Sequence, residues 1–141
     1  MTLILMLLAI LAGSPAFEQG SMRTEVGVAT YFKSTGDRFN PDPRNACYRR
    51  APKVSKTLED HALVFAHRTL PCGSWALVYN VRTGKSVVAR KVDWGPKRNL
   101  IDLSIGTARA IGLNGKEEVV VVPLGPWRGA RPPSIDQKRL E

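Results

Sequence analysis

Three stretches of the chain have the composition of β-strands, in which side chains alternate between the two faces. These stretches are residues 27–32, 75–81 and 86–92. Thr83 and Gly84 form a tight-turn pair between the last two, which therefore predict a β-hairpin. The stretch at residues 117–122, with a run of four valines at 119–122, is suited to a fourth strand, buried on both faces.

One short helix is predicted after residue 104. Ile105, Ala108 and Ile111 recur at roughly helical spacing, so they would share one face of a helix. Ser104 is a residue type that caps helix N-termini, and Gly112 suits the helix end. Several short strands with a single helix between the last two indicate a small closed β architecture rather than an open α/β sheet.

The first sixteen residues differ in composition from the rest of the chain. They carry no charged side chain and hold an apolar run at residues 3–12, followed by small residues at 14–16. This pattern predicts a secretory signal cleaved near Ala16 and too short to span a membrane; an uncleaved anchor is the alternative, because no Lys or Arg precedes the apolar run. The predicted organisation is a signal peptide at 1–16, a lead-in at 17–25, a folded domain at 26–124 and a flexible basic tail at 125–141.

The charge balance is strongly basic. The sequence has 21 Lys and Arg against 12 Asp and Glu, and this net charge of +9 falls entirely within the roughly 125 residues after the predicted signal. Such a charge indicates an anionic partner, which could be nucleic acid, acidic lipid headgroups or a cell-wall polymer with free carboxylates. Export makes nucleic acid the least favoured of the three, and we expect a secreted or periplasmic protein.

Two cysteines, Cys47 and Cys72, are present. In an oxidising compartment an even pair indicates one disulfide, which at this separation would restrict the unfolded chain by about 3 kcal/mol. The bond would also pin residues 33–56, an irregular stretch that is otherwise unusually long for a compact domain. The alternative is a Cys–His nucleophile that pairs Cys72 with His67 or His61.

Asp93 lies where the strand at 86–92 stops and the chain turns. The Gly-Pro pair at 95–96 ends the strand, because glycine frees the backbone and proline removes a hydrogen-bond donor. A carboxylate held at such a corner suits chemistry, and it suits a turn-capping Asp equally well. Along the strand, alternation places Val88, Arg90 and Val92 on one face and Val87, Ala89 and Lys91 on the other.

Five phrases of the sequence, taken in order, resemble the RlpA-like double-psi β-barrel domain, which is related to expansins and barwin. They are G-V-A-T-Y-F at 27–32, A-H-R-T-L-P at 66–71, T-G-K-S-V-V at 83–88, V-D-W-G-P at 92–96 and I-D-L-S at 101–104. The resemblance implies a mainly β fold, a small six-stranded double-psi β-barrel with one or two short helices. It also implies an open groove across one face of the barrel.

Members of the RlpA type are lytic transglycosylases that cleave the glycan strands of peptidoglycan. The resemblance implies that their catalytic Asp is Asp93 here and that His67 lines the same groove. The residue after this Asp is usually Arg in the family and is Trp94 in this chain. Tyr31 and Trp94 are candidates to stack against sugar rings, with core packing as the alternative for Tyr31. Arg90 is a further candidate for substrate binding.

A lytic transglycosylase can work with a single carboxyl group. Asp93 would protonate the leaving oxygen and then, as a carboxylate, take the proton of the sugar's own 6-hydroxyl to give a 1,6-anhydro end. For this role it has to be protonated at neutral pH. Desolvation by Trp94 and Val92 favours that state, and it is opposed by four nearby cations, Arg90, Lys91, Lys97 and Arg98.

Other polar residues have simpler interpretations. The alternative role for His67 is that of a half-buried histidine holding the turn at residues 70–71, and His61 is expected to be structural. Asp102 is expected to satisfy backbone donors before the helix, with a catalytic role as its alternative. A basic group is expected to form a solvated face, with contact to the anionic wall as a secondary role: Arg49, Arg50, Lys53 and Lys56.

Two functions of different classes follow from these residues. The first is a secreted peptidoglycan lytic transglycosylase whose partners are glycan strands. The second is a non-catalytic, expansin-like module that binds or loosens wall glycan, and a cysteine-dependent hydrolase is a more distant third. We expect a monomer that needs no metal or organic cofactor, binds no nucleic acid, and meets a membrane only if the signal segment is uncleaved.

Overall fold

The computed structural model describes residues 23–33, 45–51, 54–57 and 59–126. The predicted signal at 1–16, Lys53 of the basic group, and all of the predicted tail except residues 125–126 lie outside the described residues. Within those ranges, no helix has the length and apolar character needed to cross a membrane.

Six strands and one helix make up the described part of the chain. In chain order they are β1 (Glu25–Phe32), β2 (Val64–His67), β3 (Ser74–Asn80), β4 (Ser86–Asp93), β5 (Ile101–Ser104), α1 (Ile105–Ala110) and β6 (Glu117–Pro126). The strands close into a barrel in the order β1-β5-β2-β4-β3-β6. The β1–β5 and β2–β4 pairs are parallel, and the other four pairs are antiparallel. The predicted mainly β, closed, six-stranded architecture with a short helix is therefore confirmed.

The local predictions for the hairpin and the helix are confirmed. β3 and β4 pair antiparallel, with Gly84 in the turn at a φ of 69°. Ser104 caps α1, because its side-chain oxygen accepts a hydrogen bond from the backbone N–H of Thr107 at 3.1 Å. Gly106 in the first turn allows the helix to lie against the chain before β2: a Cβ at this position would collide with the carbonyl oxygen of His61.

Strand β6 ends four residues later than predicted. It reaches Pro126, two residues into the stretch assigned to the tail, because Gly125 and Pro126 pair with Trp75 and Ser74 of β3. A register shift in β3 between Trp75 and Ala76 falls within this pairing, and proline is tolerated at such irregular positions of a sheet.

The barrel interior is the main hydrophobic core, and a smaller core lies outside β4. Ala89 belongs to the main core, where Val87 packs against it, whereas Val92 belongs to the outer cluster. Val88 and Arg90 line the same outer surface as Val92. The alternation predicted for this strand is therefore confirmed, and it directs the chemistry-bearing residues of β4 to two different environments.

A disulfide between Cys47 and Cys72 holds the segment formed by residues 45–51 and 54–57 against the barrel. The backbone N–H of Cys47 donates to the carbonyl of Val92 at 3.0 Å, so this segment covers the outer face of β4. Asn45 closes the segment on itself, since its side-chain amide donates to the carbonyls of Ser55 and Thr57 at 2.7 and 2.9 Å. Because both cysteines of the chain are in this bond, the alternative of a Cys72 nucleophile is excluded.

Candidate active site

Asp93 is the last residue of β4 and lies opposite Ala66 of the parallel neighbour β2. Its side chain is half-buried, and Oδ1 accepts a hydrogen bond from the backbone N–H of Trp94 at 2.8 Å. This contact is of the kind expected for a turn-capping Asp. The chain then turns away through Gly95, whose φ is 115°, and a cis peptide bond to Pro96.

The strand registers place four residues in one row across the barrel wall: Thr30 on β1, Asp102 on β5, Ala66 on β2 and Asp93 on β4. Oδ1 of Asp102 accepts a hydrogen bond from the Thr30 hydroxyl at 2.9 Å. Asp102 therefore bonds a side chain of the adjacent strand, and its contact with backbone donors before the helix stays a prediction. Two strand spacings separate the two aspartates, which is about 10 Å between their Cα atoms.

Thr30 was not singled out from the sequence. The G-V-A-T-Y-F phrase contains it, but only the aromatic Tyr31 stood out as a possible sugar contact. A carboxylate two strands from Asp93 could be inferred only once the order β1-β5-β2-β4 is known, because Thr30 and Asp102 are 72 positions apart in the sequence.

Lys91 was predicted only as one of four cations near Asp93, and its burial was not predicted. It is fully buried, its Nζ donates a hydrogen bond to the carbonyl of Leu70, and Nζ lies 3.1 Å from the centre of the Trp94 ring. Burial lowers the pKa of Lys91 to about 7; the negative charge of Asp93 opposes this change and the positive charge of Arg50 adds to it. An amine whose protonation responds to Asp93 and whose pKa lies near neutral therefore sits inside the barrel wall.

His67 lies below the surface, with 2% of its side chain exposed. Its Nδ1 accepts hydrogen bonds from the backbone N–H groups of Thr69 and Leu70, both at 3.2 Å, so the ring holds the turn that follows β2. Because Nδ1 is an acceptor, the proton of the neutral ring is assigned to Nε2, which lies 2.8 Å from a carboxylate oxygen of Glu25.

The pKa of His67 is lowered, chiefly by burial. The Glu25 carboxylate acts in the opposite direction, while Lys91 and Arg68 add to the lowering through their positive charges. His67 is thus in contact with Glu25 and electrostatically coupled to Lys91, which is in turn coupled to Asp93.

The three predicted substrate-binding residues have different environments. Tyr31 and Trp94 expose 48% and 42% of their surface, so Tyr31 does not pack in the core. Arg90 is 5% exposed; its Nε donates to the carbonyl of Gly73 at 3.2 Å, and its guanidinium lies 5.5 Å from the centre of the Trp75 ring. Its observed contacts thus tie together β3, β4 and the turn before β3.

Two clefts of about 290 Å³ each lie near the row of four residues, and Asp93 lines neither. Val64, Trp75, Arg90 and Val92 are among the residues of the first, on the outer side of β2 and β4. Tyr31, Lys33 and Arg109 are among those of the second, beside α1. Across the part of the chain that the structure describes, no group of three or more His, Cys, Asp or Glu side chains could hold a metal ion.

The fold and the site together define a double-psi β-barrel protein. The barrel is closed and has six strands with two parallel pairs, one helix lies between its last two strands, and an aspartate ends β4.

No family model matches the chain. It is 39% identical over 84 residues to a probable endolytic peptidoglycan transglycosylase RlpA of Nostoc sp., covering 58% of this chain and 18% of that protein. The endolytic peptidoglycan transglycosylase RlpA of Pseudomonas aeruginosa is 39% identical over 105 residues, 72% of this chain and 28% of that protein.

The corresponding RlpA of Neisseria meningitidis serogroup B is 30% identical over 111 residues, 76% of this chain and 42% of that protein. The chain thus spans less than half the length of these relatives. Cerato-platanin 3 of M. perniciosa, a solved structure, aligns to 72% of this chain and 96% of its own at 14% identity, with a TM-score of 0.48. The barrel described above is an RlpA-like double-psi β-barrel.

Proposed function

We propose that this barrel cleaves the glycan strands of peptidoglycan as a lytic transglycosylase, with Asp93 as its single acid and base. The names of its relatives support the reaction. The observation that carries the proposal is the placement of Asp93: a half-buried carboxylate at the end of β4, beside the exposed ring of Trp94.

In the first half of the reaction, protonated Asp93 gives its proton to the oxygen between two sugars as the bond from that oxygen to the anomeric carbon breaks. In the second half, the Asp93 carboxylate takes the proton of the 6-hydroxyl of the same sugar. The 6-oxygen bonds to the anomeric carbon, and a 1,6-anhydro ring results. No water is consumed, and because the nucleophile is part of the substrate, proximity supplies much of the rate.

Other residues would act around Asp93. Trp94 and Tyr31 offer exposed rings on which sugars can stack. His67 is a positioning residue in this proposal, because its buried ring fixes the turn after β2 and contacts Glu25 rather than solvent.

A non-catalytic, expansin-like glycan-binding module is the second candidate. The buried ammonium of Lys91 favours it, since a positive charge next to Asp93 stabilises the carboxylate over the protonated acid that the first step needs. The exposed aromatic rings would serve a binder equally well.

We also propose that the protein acts outside the cytoplasm as a monomer. Peptidoglycan lies outside the cytoplasmic membrane, and a disulfide persists in oxidising compartments. The net charge of +9 suits a wall polymer that carries free carboxylates.

The test is to incubate purified sacculi with the protein and to search the released muropeptides for 1,6-anhydro ends by mass spectrometry. The wild type should release them, and Asp93→Asn should reduce the yield by at least about 100-fold, because general acid–base catalysis contributes that much. Glu118→Gln, a matched change at an exposed carboxylate, should leave the yield unchanged.

Other products would contradict the proposal in distinct ways. Reducing ends would indicate a hydrolase, and sedimentation with sacculi without any product would support the binding module. If Asp93→Asn kept full activity and Asp102→Asn lost it, the catalytic acid would be Asp102, whose carboxylate accepts a hydrogen bond from Thr30.

A further inference from the structure

Lys91 is a lysine inside the barrel wall with no surface exposed to solvent. Lysine is almost never fully buried unless it is paired, because an ammonium loses its hydration there. The mechanism proposed above makes no use of this side chain. Its burial therefore requires an explanation from its own contacts.

Two of those contacts stabilise the charged form of the amine. Nζ donates a hydrogen bond to the carbonyl of Leu70, at the turn that His67 holds, and it lies 3.1 Å from the centre of the Trp94 ring. An ammonium over an aromatic face is attracted by the negative face of the ring. Trp94 thus contacts the amine while it adjoins Asp93 in the chain, and its backbone N–H donates to Asp93 Oδ1.

Charged groups on β4, on β2 and in the disulfide-linked segment interact with Lys91. Asp93 is on the same strand and favours the ammonium, while Arg50, in the disulfide-linked segment, opposes it. His67 on β2 interacts with Lys91, and it is itself influenced by Glu25 of β1 and by Arg68. Asp93 is the one anion among the groups that act directly on the amine in the described part of the chain.

We propose that Lys91 is a positioning residue for Asp93: its buried ammonium sets the charge state of that carboxyl group and stabilises the carboxylate that forms when the proton leaves. The catalytic consequence rests on the proposed function. As Asp93 gives its proton to the glycosidic oxygen, the negative charge that develops on it would be stabilised by Lys91 in its protonated form, whose position in the barrel wall is already set. Asp93 would then persist as the base for the second half of the reaction.

The coupling has to be mutual, since two groups that influence each other's protonation do so by the same free energy. Removing the charge of Asp93 should therefore make Lys91 lose its proton at lower pH. Removing the amine should make Asp93 lose its proton at higher pH. Neither effect depends on whether the protein cleaves glycan.

The experiment is a pH titration by NMR of the full chain carrying carbon-13 at the lysine ε positions and at the Asp side-chain carboxyl groups. In the wild type, one lysine should titrate near pH 7, far below the other lysines, and its signal should be missing from Lys91→Met. In Asp93→Asn the midpoint of that lysine should fall. In Lys91→Met the Asp93 midpoint should rise, as expected on loss of an adjacent opposite charge.

Lys85→Met is the matched control, because Lys85 is exposed in the β3–β4 turn; it should leave both midpoints where they are. An unchanged lysine midpoint in Asp93→Asn would overturn the proposal. This comparison needs only the wild type and Asp93→Asn, so it decides the matter even if Lys91→Met does not fold. A wild type that shows the coupling but releases no anhydro product would refute the proposed function and leave the charge pairing intact.

Discussion

At the scale of single residues, the electrostatic environment of Asp93 depends on the direction in which the side chain of each neighbouring cation lies. The sequence places four cations near this carboxyl group, and alternation along β4 separates two of them. Arg90 lies on the outer face, bound to the carbonyl of Gly73, and Lys97 and Arg98 are exposed. Lys91 is left as the inward-facing cation, and its pKa responds to the charge of Asp93.

Lys91 should also make the stability of the fold depend on pH. Its pKa of about 7 in the folded protein lies below the usual value of 10.5, so between these two values the unfolded chain binds more protons than the folded one. Stability should therefore rise as the pH increases from about 7 towards 10. Denaturant unfolding at several pH values would measure this dependence.

Lys91→Met should flatten the rise, because methionine has no proton to lose. Lys85→Met should keep it, since that side chain is exposed. Identical slopes for wild type and Lys91→Met would show that the buried amine does not titrate in this range.

At the scale of elements, the predictions that depend on neighbouring residues in the sequence are the ones that the structure confirms. The β3–β4 hairpin and the Ser104 cap are encoded within a few positions, as alternation, a turn glycine and a capping hydroxyl. The bond from Thr30 to Asp102 and the burial of Lys91 were not predictable in this way. Both depend on which strands become neighbours in the barrel. The burial of Lys91 also runs against the ordinary expectation that a lysine lies at the surface.

Helix α1 offers a test of close packing between elements. Gly106→Ala should destabilise the protein by about 1–3 kcal/mol, because the added methyl group meets the backbone carbonyl of His61, which cannot turn aside as a side chain would. Thermal or denaturant unfolding would measure the loss. Ala110→Ser, an exposed change on the same helix, should leave the free energy of unfolding within about 0.5 kcal/mol of the wild type. Equal stability of the two variants would mean that the helix can move away from residue 61.

At the scale of the whole molecule, the order in which the strands pair around the barrel could not be established from the sequence alone. Periodicity identifies strands, but it does not say that β1 pairs with β5 in parallel or that β2 lies between β5 and β4. These pairings join residues far apart in the chain, and no local pattern marks them. The resemblance to RlpA-like domains supplied the strand number, and the structure supplied the register that brings Asp93, Ala66 and Asp102 into one row.

The disulfide should contribute to the stability of the whole domain. Replacing both cysteines by alanine should lower the free energy of unfolding by about 3 kcal/mol, since the link removes conformations from the unfolded chain. Denaturant unfolding would give the magnitude. Hydrogen exchange would locate the effect: the amide of Cys47 should exchange faster, while β3 and β6 should keep their protection. An unchanged unfolding midpoint would contradict the prediction.

The pairing of β1 with β6 has a consequence for how such a domain can be reused. The first and last strands of the barrel are bonded to each other, so the closed unit is complete without help from the polypeptide on either side. Sequence can therefore be added before or after it without opening the sheet. A barrel that is closed by its own first and last strands can form part of polypeptides of very different length, in keeping with the greater length of its relatives.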